Sequence, residues 1–291
     1  SVVLFTLADE TRTGDAAQVQ MTDDSGRLTR AIPLYLLEAI RLRLRARVRC
    51  AIMIVPGQGP AVLRQPFERA ALEYSLPPSP SRPVLVAGSL LAGGLRMEIW
   101  EAGAAAATIT VDAPHTDVGA LVARAEQALV AALIARGLRP DTALPAFYRP
   151  PPPEWLATYV SALEQLLYQL LAANGIVAAE SLWNERGFFE TYFALVEGWP
   201  DAPDSARLIG ICGVLAARRY KSSIVEPYRR IALQWIDAAP AGSVLHRLAP
   251  AVFRQLGEED RLETWLGKAA PSSDAGYAAW LERVKAGDGT S

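Results

Sequence analysis

Between residues 84 and 136 the spacing of apolar positions changes from strand-like to helical. The 84–90, 95–100 and 108–111 runs are short and rich in aliphatic and β-branched side chains, so they predict three consecutive strands. Gly93-Gly94 between the first two suits a tight hairpin, because glycine reaches positive φ without a steric penalty. After Asp117, a candidate N-cap, Val118, Leu121, Val122, Ala125, Leu129, Ala132 and Leu133 fall on one helical face, and the run ends near Gly137.

Upstream, the apolar run 2–7 predicts a central strand, followed by a polar loop over 11–30. Pro33 marks a helix start, since proline at the first helical position sacrifices no intrahelical donor. Leu37, Ile40 and Leu44 supply that helix's buried stripe. The run 48–55 then meets Pro56-Gly57-Gln58-Gly59-Pro60, a strand followed by a turn. Residues 66–74 suit a second helix and 77–83 a loop. The resulting order, β, α, β, α, β, β, β, α, predicts an α/β sandwich with a mixed sheet over 1–145.

Pro150 to Pro153 cannot continue a helix, so 146–153 is expected to act as a semi-rigid spacer. Beyond it no strand pattern occurs. Helical patterns recur at 154–173, 176–186, 188–197, 205–217, 224–237, 244–256, 259–268 and 273–285. Three units close alike, at Asp201-Ala202-Pro203, Asp237-Ala238-Ala239-Pro240 and Lys268-Ala269-Ala270-Pro271, with the prolines 37 and 31 residues apart. A period near 34 is that of stacked helix–turn–helix units. The expectation is an α+β two-domain chain, with an all-α repeat-like array of antiparallel pairs over 154–286 and a disordered tail over 287–291.

Composition supports a folded chain, with 51% hydrophobic and 21% charged residues in a length of 291, enough for two domains. A net charge of −2 gives no global attraction to nucleic acid or an anionic membrane, so nucleic acid is not expected as a partner. Cys50 and Cys212 are too few and too far apart in sequence for a disulfide framework or a zinc site, and buried free thiols are expected. His115 and His246 show no metal-binding spacing, so neither metal nor cofactor is expected.

The most apolar long window, 155–179, has an uncharged stretch shorter than the ~18 to 20 residues that span a bilayer. A core helix pair is expected there, without membrane insertion. No leader pattern is visible, which points to the cytoplasm; the chain begins at Ser1 rather than Met, so the periplasm is the alternative if a leader was removed.

The order of elements over 1–139 resembles the amino-terminal α/β domain of the TolB translocation protein and the related domain linked to bacterial adenylate cyclases and tetratricopeptide proteins. The residues carrying the likeness are the opening strand Val2 to Leu7, the strand Val84-Leu85-Val86-Ala87-Gly88-Ser89, the strand Gly94-Leu95-Arg96-Met97-Glu98-Ile99 and the helix after Asp117. The 251–269 stretch resembles one tetratricopeptide repeat, with Gly257 expected at the close helix crossing and Ala269 near the closing alanine. The units upstream depart from that pattern, Tyr220 standing where a crossing glycine would fall. Together the resemblances imply a binding protein, because neither family has a catalytic set to carry over.

Several residues have a possible chemical use and a simpler structural one. Gly57-Gln58-Gly59 follows a strand, but Pro60 removes a donor from the backbone that would cradle phosphate. Arg41, Arg43, Arg45, Arg47 and Arg49 are expected to scatter around a helix end, where positive charge complements the dipole. Ser89 lies within a strand, without a nucleophile elbow. Thr116 or Asp117 beside His115 is most simply a cap, and His246 a packing residue. Trp155, Trp183, Trp199, Trp235, Trp265 and Trp280 are expected to fill the inter-helix core.

The preferred contact patch is Arg218, Arg219, Tyr220, Lys221, Tyr228, Arg229 and Arg230, because arginine and aromatic residues are enriched at interfaces. The expected function is a non-catalytic adaptor that binds another protein within a bacterial multiprotein assembly, with homo-oligomerisation open. The alternative is a sensory or regulatory module binding a small molecule in the α/β domain or at the domain junction, for which a pocket at Phe147, Tyr148 and Trp155 would speak. Enzymatic activity is not expected without clustered His, Cys or paired carboxylates.

Overall fold

The structure is a computed structural model that describes residues 1–11, 24–55, 57–76, 82–141, 143–268 and 274–287. It shows an α+β chain in two units, Ser1–Asn184 and Glu185–Ser291. The first unit holds β1 (Val2–Phe5), β2 (Ala8–Asp9), α1 (Asp24–Arg43), β3 (Val48–Ala51), β4 (Ile54–Val55), β5 (Gly59–Pro60), α2 (Arg69–Ser75), β6 (Val84–Leu91), β7 (Gly94–Trp100), β8 (Ala107–Asp112), α3 (Val118–Ala135) and α4 (Pro153–Ala173). The main sheet runs β3-β1-β6-β7-β8, with β2 also beside β6. β1 lies parallel to β3 and β6, whereas β6, β7 and β8 form the expected antiparallel meander.

Alternation along the strands divides the core. Val3, Phe5, Leu85, Ala87 and Trp100 pack with Leu72 of α2 and half-buried Phe67. The alternate positions turn to the opposite face, where α1 and α3 lie over the sheet and α4 covers both helices. α3 is the one described helix long and apolar enough, by composition, to cross a membrane. In this fold its Leu121, Val122, Ala125, Leu129 and Leu133 are buried against the sheet and neighbouring helices.

The Gly-Gly hairpin works differently from its expectation. Leu91 pairs with Gly94, leaving Ala92-Gly93 as the turn, and neither glycine has positive φ. A Cβ at Gly94 would meet Val111 O at 2.0 Å, and one at Gly88 would meet Arg96 O at 2.0 Å. Close strand approach, not turn conformation, requires glycine at 94 and 88.

The helix expected to start at Pro33 begins instead at Asp24, with Pro33 inside it. Proline cannot donate to the carbonyl one turn earlier. That acceptor, Thr29 O, receives the Leu7 N–H at 2.9 Å. The vacancy proline leaves in the helix ladder is thus filled from the connection after β1, and the apolar stripe continues through it.

The boundary between units also differs from the expected spacer at 146–153. α4 belongs to the first unit because its stripe packs on α1 and α3. Tyr148 and Pro151 are buried, and Pro153 is the first residue of α4. The helix expected over 176–186 is reduced to a 3-10 turn, Ala179–Ser181, ahead of α5, and α4 stops at Ala173, so 155–179 holds one long helix followed by a short turn and not a helix pair.

The second unit contains α5 (Glu185–Gly198), α6 (Asp204–Arg219), α7 (Glu226–Asp237), α8 (Val244–Leu256), α9 (Glu259–Lys268) and α10 (Ala275–Ala286), with no strand among its described residues. α6 packs on α5, α7 and α8, while α8 also meets α7, α9 and α10. Gly210 supplies the close approach in α6: a Cβ there would come within 3.0 Å of the Trp235 ring. Gly257 is not at a helix crossing; it ends α8 with φ 72, and the following Glu258 N–H reaches Phe253 O at 2.9 Å. This is a left-handed termination that favours glycine. Pro203 directly precedes α6 and Pro240 lies between α7 and α8. Pro271, Ala269, Pro56, most of the 77–83 loop and 288–291 of the tail lie outside the described residues; Gly287 caps α10.

Candidate functional site

The basic patch of the second unit is assembled on a fixed base at the α6–α7 junction. Arg218 Nε donates to Gln255 O at 3.1 Å, and Tyr220 Oη donates to Glu185 Oε1 at 2.7 Å. Tyr228 stacks on Phe189 with ring centroids 4.3 Å apart. Arg229 pairs with Glu226 at 3.0 Å and also with Glu258. Tyr220, Tyr228 and Arg229 are therefore half-buried anchors, whereas Arg218, Arg219, Lys221 and Arg230 are exposed. Lys221 holds φ 60, a left-handed turn that terminates α6, with Ser222 N–H returning to Ala217 O at 2.9 Å. Arg219, Lys221 and Arg230 make no ion pair among the described residues.

The first unit has a pocket of about 580 Å³ bounded by the first turns of α1 and α3 and by α4. Leu28, Ala31, Val118 and Ala157 form apolar wall, and Arg27, His115, Ser161 and Glu164 are among its polar groups. Glu164 is fully buried, and its carboxylate receives Arg30 Nη2 at 2.9 Å and Arg27 Nε at 3.3 Å. Burial raises the Glu164 carboxyl, and the two guanidiniums act against that rise. Arg27 also donates to Ser161 Oγ at 3.2 Å and lies 5.3 Å from the Trp183 ring centroid. His115 Nδ1 is 3.2 Å from Ala92 O; a carbonyl can only accept, so this nitrogen carries the proton. Asp117 caps α3 by accepting from Ala120 N–H at 3.1 Å, as expected.

A second polar cluster joins the helices behind the sheet. Glu38 of α1 accepts from Tyr159 of α4 at 2.8 Å and from Tyr148. Glu126 of α3 accepts from Tyr35 at 2.5 Å and from Arg43 at 2.5 Å. The cluster's arginine is thus paired with Glu126, while Glu38 is held by phenols. Desolvation pushes the Glu38 carboxyl up to about 7, against the opposing effect of the two tyrosine bonds. Burial raises Tyr35, Tyr148 and Tyr159 in the same way. Tyr148 thus points to Glu38, and the 580 Å³ pocket lies elsewhere than Phe147, Tyr148 and Trp155.

The remaining candidates have simpler settings. Ser89 is buried within β6. His246 Nδ1 accepts from Gly242 N–H at 3.4 Å and its ring lies 5.3 Å from that of Trp265. Of the six tryptophans expected in helix cores, Trp199 is fully buried and the others half-buried. Cys50 and Cys212 are free, half-buried residues whose thiols burial raises to about 12 and about 11. No group of three or more His, Cys, Asp or Glu able to hold a metal ion occurs among the described residues. The Arg27–Glu164 pocket and the Glu38 cluster did not figure among the sequence candidates, although Glu164, Gln165 and Gln169 interrupt an apolar helical stripe and Glu38 interrupts another.

The chain matches no protein-family model, no curated protein and no solved structure.

Proposed function

We propose that this chain is a non-catalytic adaptor that binds another protein within a bacterial multiprotein assembly in the cytoplasm, using the α6–α7 junction of its second unit. The observation that carries the proposal is the exposed quartet Arg218, Arg219, Lys221 and Arg230 beside the fixed anchors Tyr220 and Tyr228. The fixed base sets where these cations stand on the surface, and an acidic partner surface would complement them. The TolB-like and tetratricopeptide-like sequence features favour the same role. The test is capture of native partners by the full chain and by an Arg219→Glu, Lys221→Glu, Arg230→Glu variant, which spares the internally paired arginines. Selective loss of a partner supports the role; unchanged capture of every partner removes the patch from it.

A second role, a regulatory module that binds a small molecule in the first unit, is favoured by the 580 Å³ pocket, which falls within the usual size range for ligand sites. Small-molecule-induced stabilisation that is lost on Arg27→Ala would support it.

A further inference from the structure

The arginine run 41–49 is expected to complement a helix end, yet only part of it does so. Arg43 pairs with Glu126, and at the end of α3 Arg136 donates to Ala132 O at 3.1 Å. Arg45, Arg47 and Arg139 lie beyond both helices. The chain brings them together through backbone bonds: Arg45 N–H to Arg139 O at 2.9 Å, Asp141 N–H to Arg43 O at 2.7 Å and Val2 N–H to Arg47 O at 2.8 Å. These three arginines line a pocket of about 540 Å³, with Ala46 and Leu138 as apolar lining. All three are exposed. Asp141, 3.3 Å from Arg45, is the one carboxylate paired with them among the described residues; Arg47 and Arg139 have no ion pair there.

We propose that this pocket is a binding site for a small phosphorylated anion. Guanidinium forks match phosphate oxygens in bidentate fashion. Three arginines against one aspartate leave a local surplus that suits more than one negative charge. An open concavity of this volume, edged by short backbone-bonded segments, is of a size to take a small molecule.

The probe is inorganic pyrophosphate, titrated calorimetrically into the full chain at low and at 0.2 M salt. Saturable one-to-one binding is expected, weakening with salt. Arg47→Glu/Arg139→Glu is expected to weaken binding at least tenfold. Asp141→Asn, which removes the competing carboxylate, is expected to tighten it severalfold and provides a readout that does not depend on introducing acidic residues. Arg219→Glu/Arg230→Glu should bind like the parent, which separates this site from the proposed partner surface. Absence of saturable binding, loss only in the Arg219/Arg230 variant, or stronger binding of an oligoglutamate peptide than of pyrophosphate would each overturn the assignment.

Discussion

Tyr159 Oη donates to Glu38 Oε1 at 2.8 Å, so a carboxylate of α1 is held by a phenol of α4. Tyr148 holds the same carboxylate, while Glu126, Tyr35 and Arg43 complete the surroundings. Burial raises the Glu38 carboxyl from 4.5 to about 7, so the folded state keeps its proton where the unfolded chain releases it. Stability from this group is therefore full below about 4.5 and is lost as pH rises through about 7, by an amount on the order of 3 kcal/mol. Thermal melts of the parent at pH 5 and pH 8 should differ more than those of Glu38→Gln, with the variant the more stable at pH 8. Equal pH dependence in the two would show that Glu38 is not the titrating group.

Arg30 and Glu164 are both fully buried and 2.9 Å apart. Arg30→Met leaves the buried Glu164 carboxylate with Arg27 alone, and Glu164→Leu takes away the carboxylate that both arginines share, so each change should destabilise the first unit, by up to about 3–5 kcal/mol. The double variant should lose much less than the sum of the two single changes. Chemical denaturation of all four proteins measures this coupling, and strict additivity would contradict it.

The meander offers a comparison of two glycines. At Gly88 a Cβ would lie 2.0 Å from a backbone oxygen, whereas at Gly93 it would meet nothing within 4 Å. Gly88→Ala should cost at least ~3 kcal/mol, at the upper end of overpacking effects. Gly93→Ala should be close to neutral, within roughly 0.5 kcal/mol. Denaturant midpoints would rank them, and comparable losses would mean the strand separation is not what fixes glycine at 88.

Much of the fold was legible because period is a strong signal. The strands of 84–111, the helix after Asp117 and the helices from Glu185 onward follow directly from apolar spacing. Pro33 misled because the cost of a helix-interior proline depends on what its orphaned carbonyl finds; here it finds Leu7, a tertiary partner with no local signature. The prolines at 150–153 misled for a related reason, since their stiffness says nothing about whether Tyr148 and Pro151 are buried. The polar sites were harder still. Arg27 and Arg30 meet Glu164 from more than 130 residues away, and no spacing rule joins them. In the basic patch, composition indicated a cluster but could not separate the exposed Arg219 and Arg230 from Arg229, which is tied to Glu226 and Glu258.

Lys221 holds φ 60 at the end of α6, a conformation that costs a non-glycine residue roughly 1 kcal/mol or more. Lys221→Gly should therefore raise the stability of the second unit by up to about 1 kcal/mol, read as a higher melting temperature. A loss of stability would mean the lysine side chain stabilises the turn by more than its backbone strain costs.

The proposed partner surface can be tested in the cell because the chain has only three lysines, Lys221, Lys268 and Lys285. Amine-reactive crosslinking of the full chain in its native host, followed by peptide identification, reports which of them adjoins another protein. If the α6–α7 junction is the docking surface, Lys221 crosslinks to a partner peptide beside acidic residues, and the link disappears in the Arg219→Glu, Arg230→Glu variant. Partner crosslinks carried by Lys268 or Lys285 while Lys221 remains freely modified by a small amine reagent would contradict it.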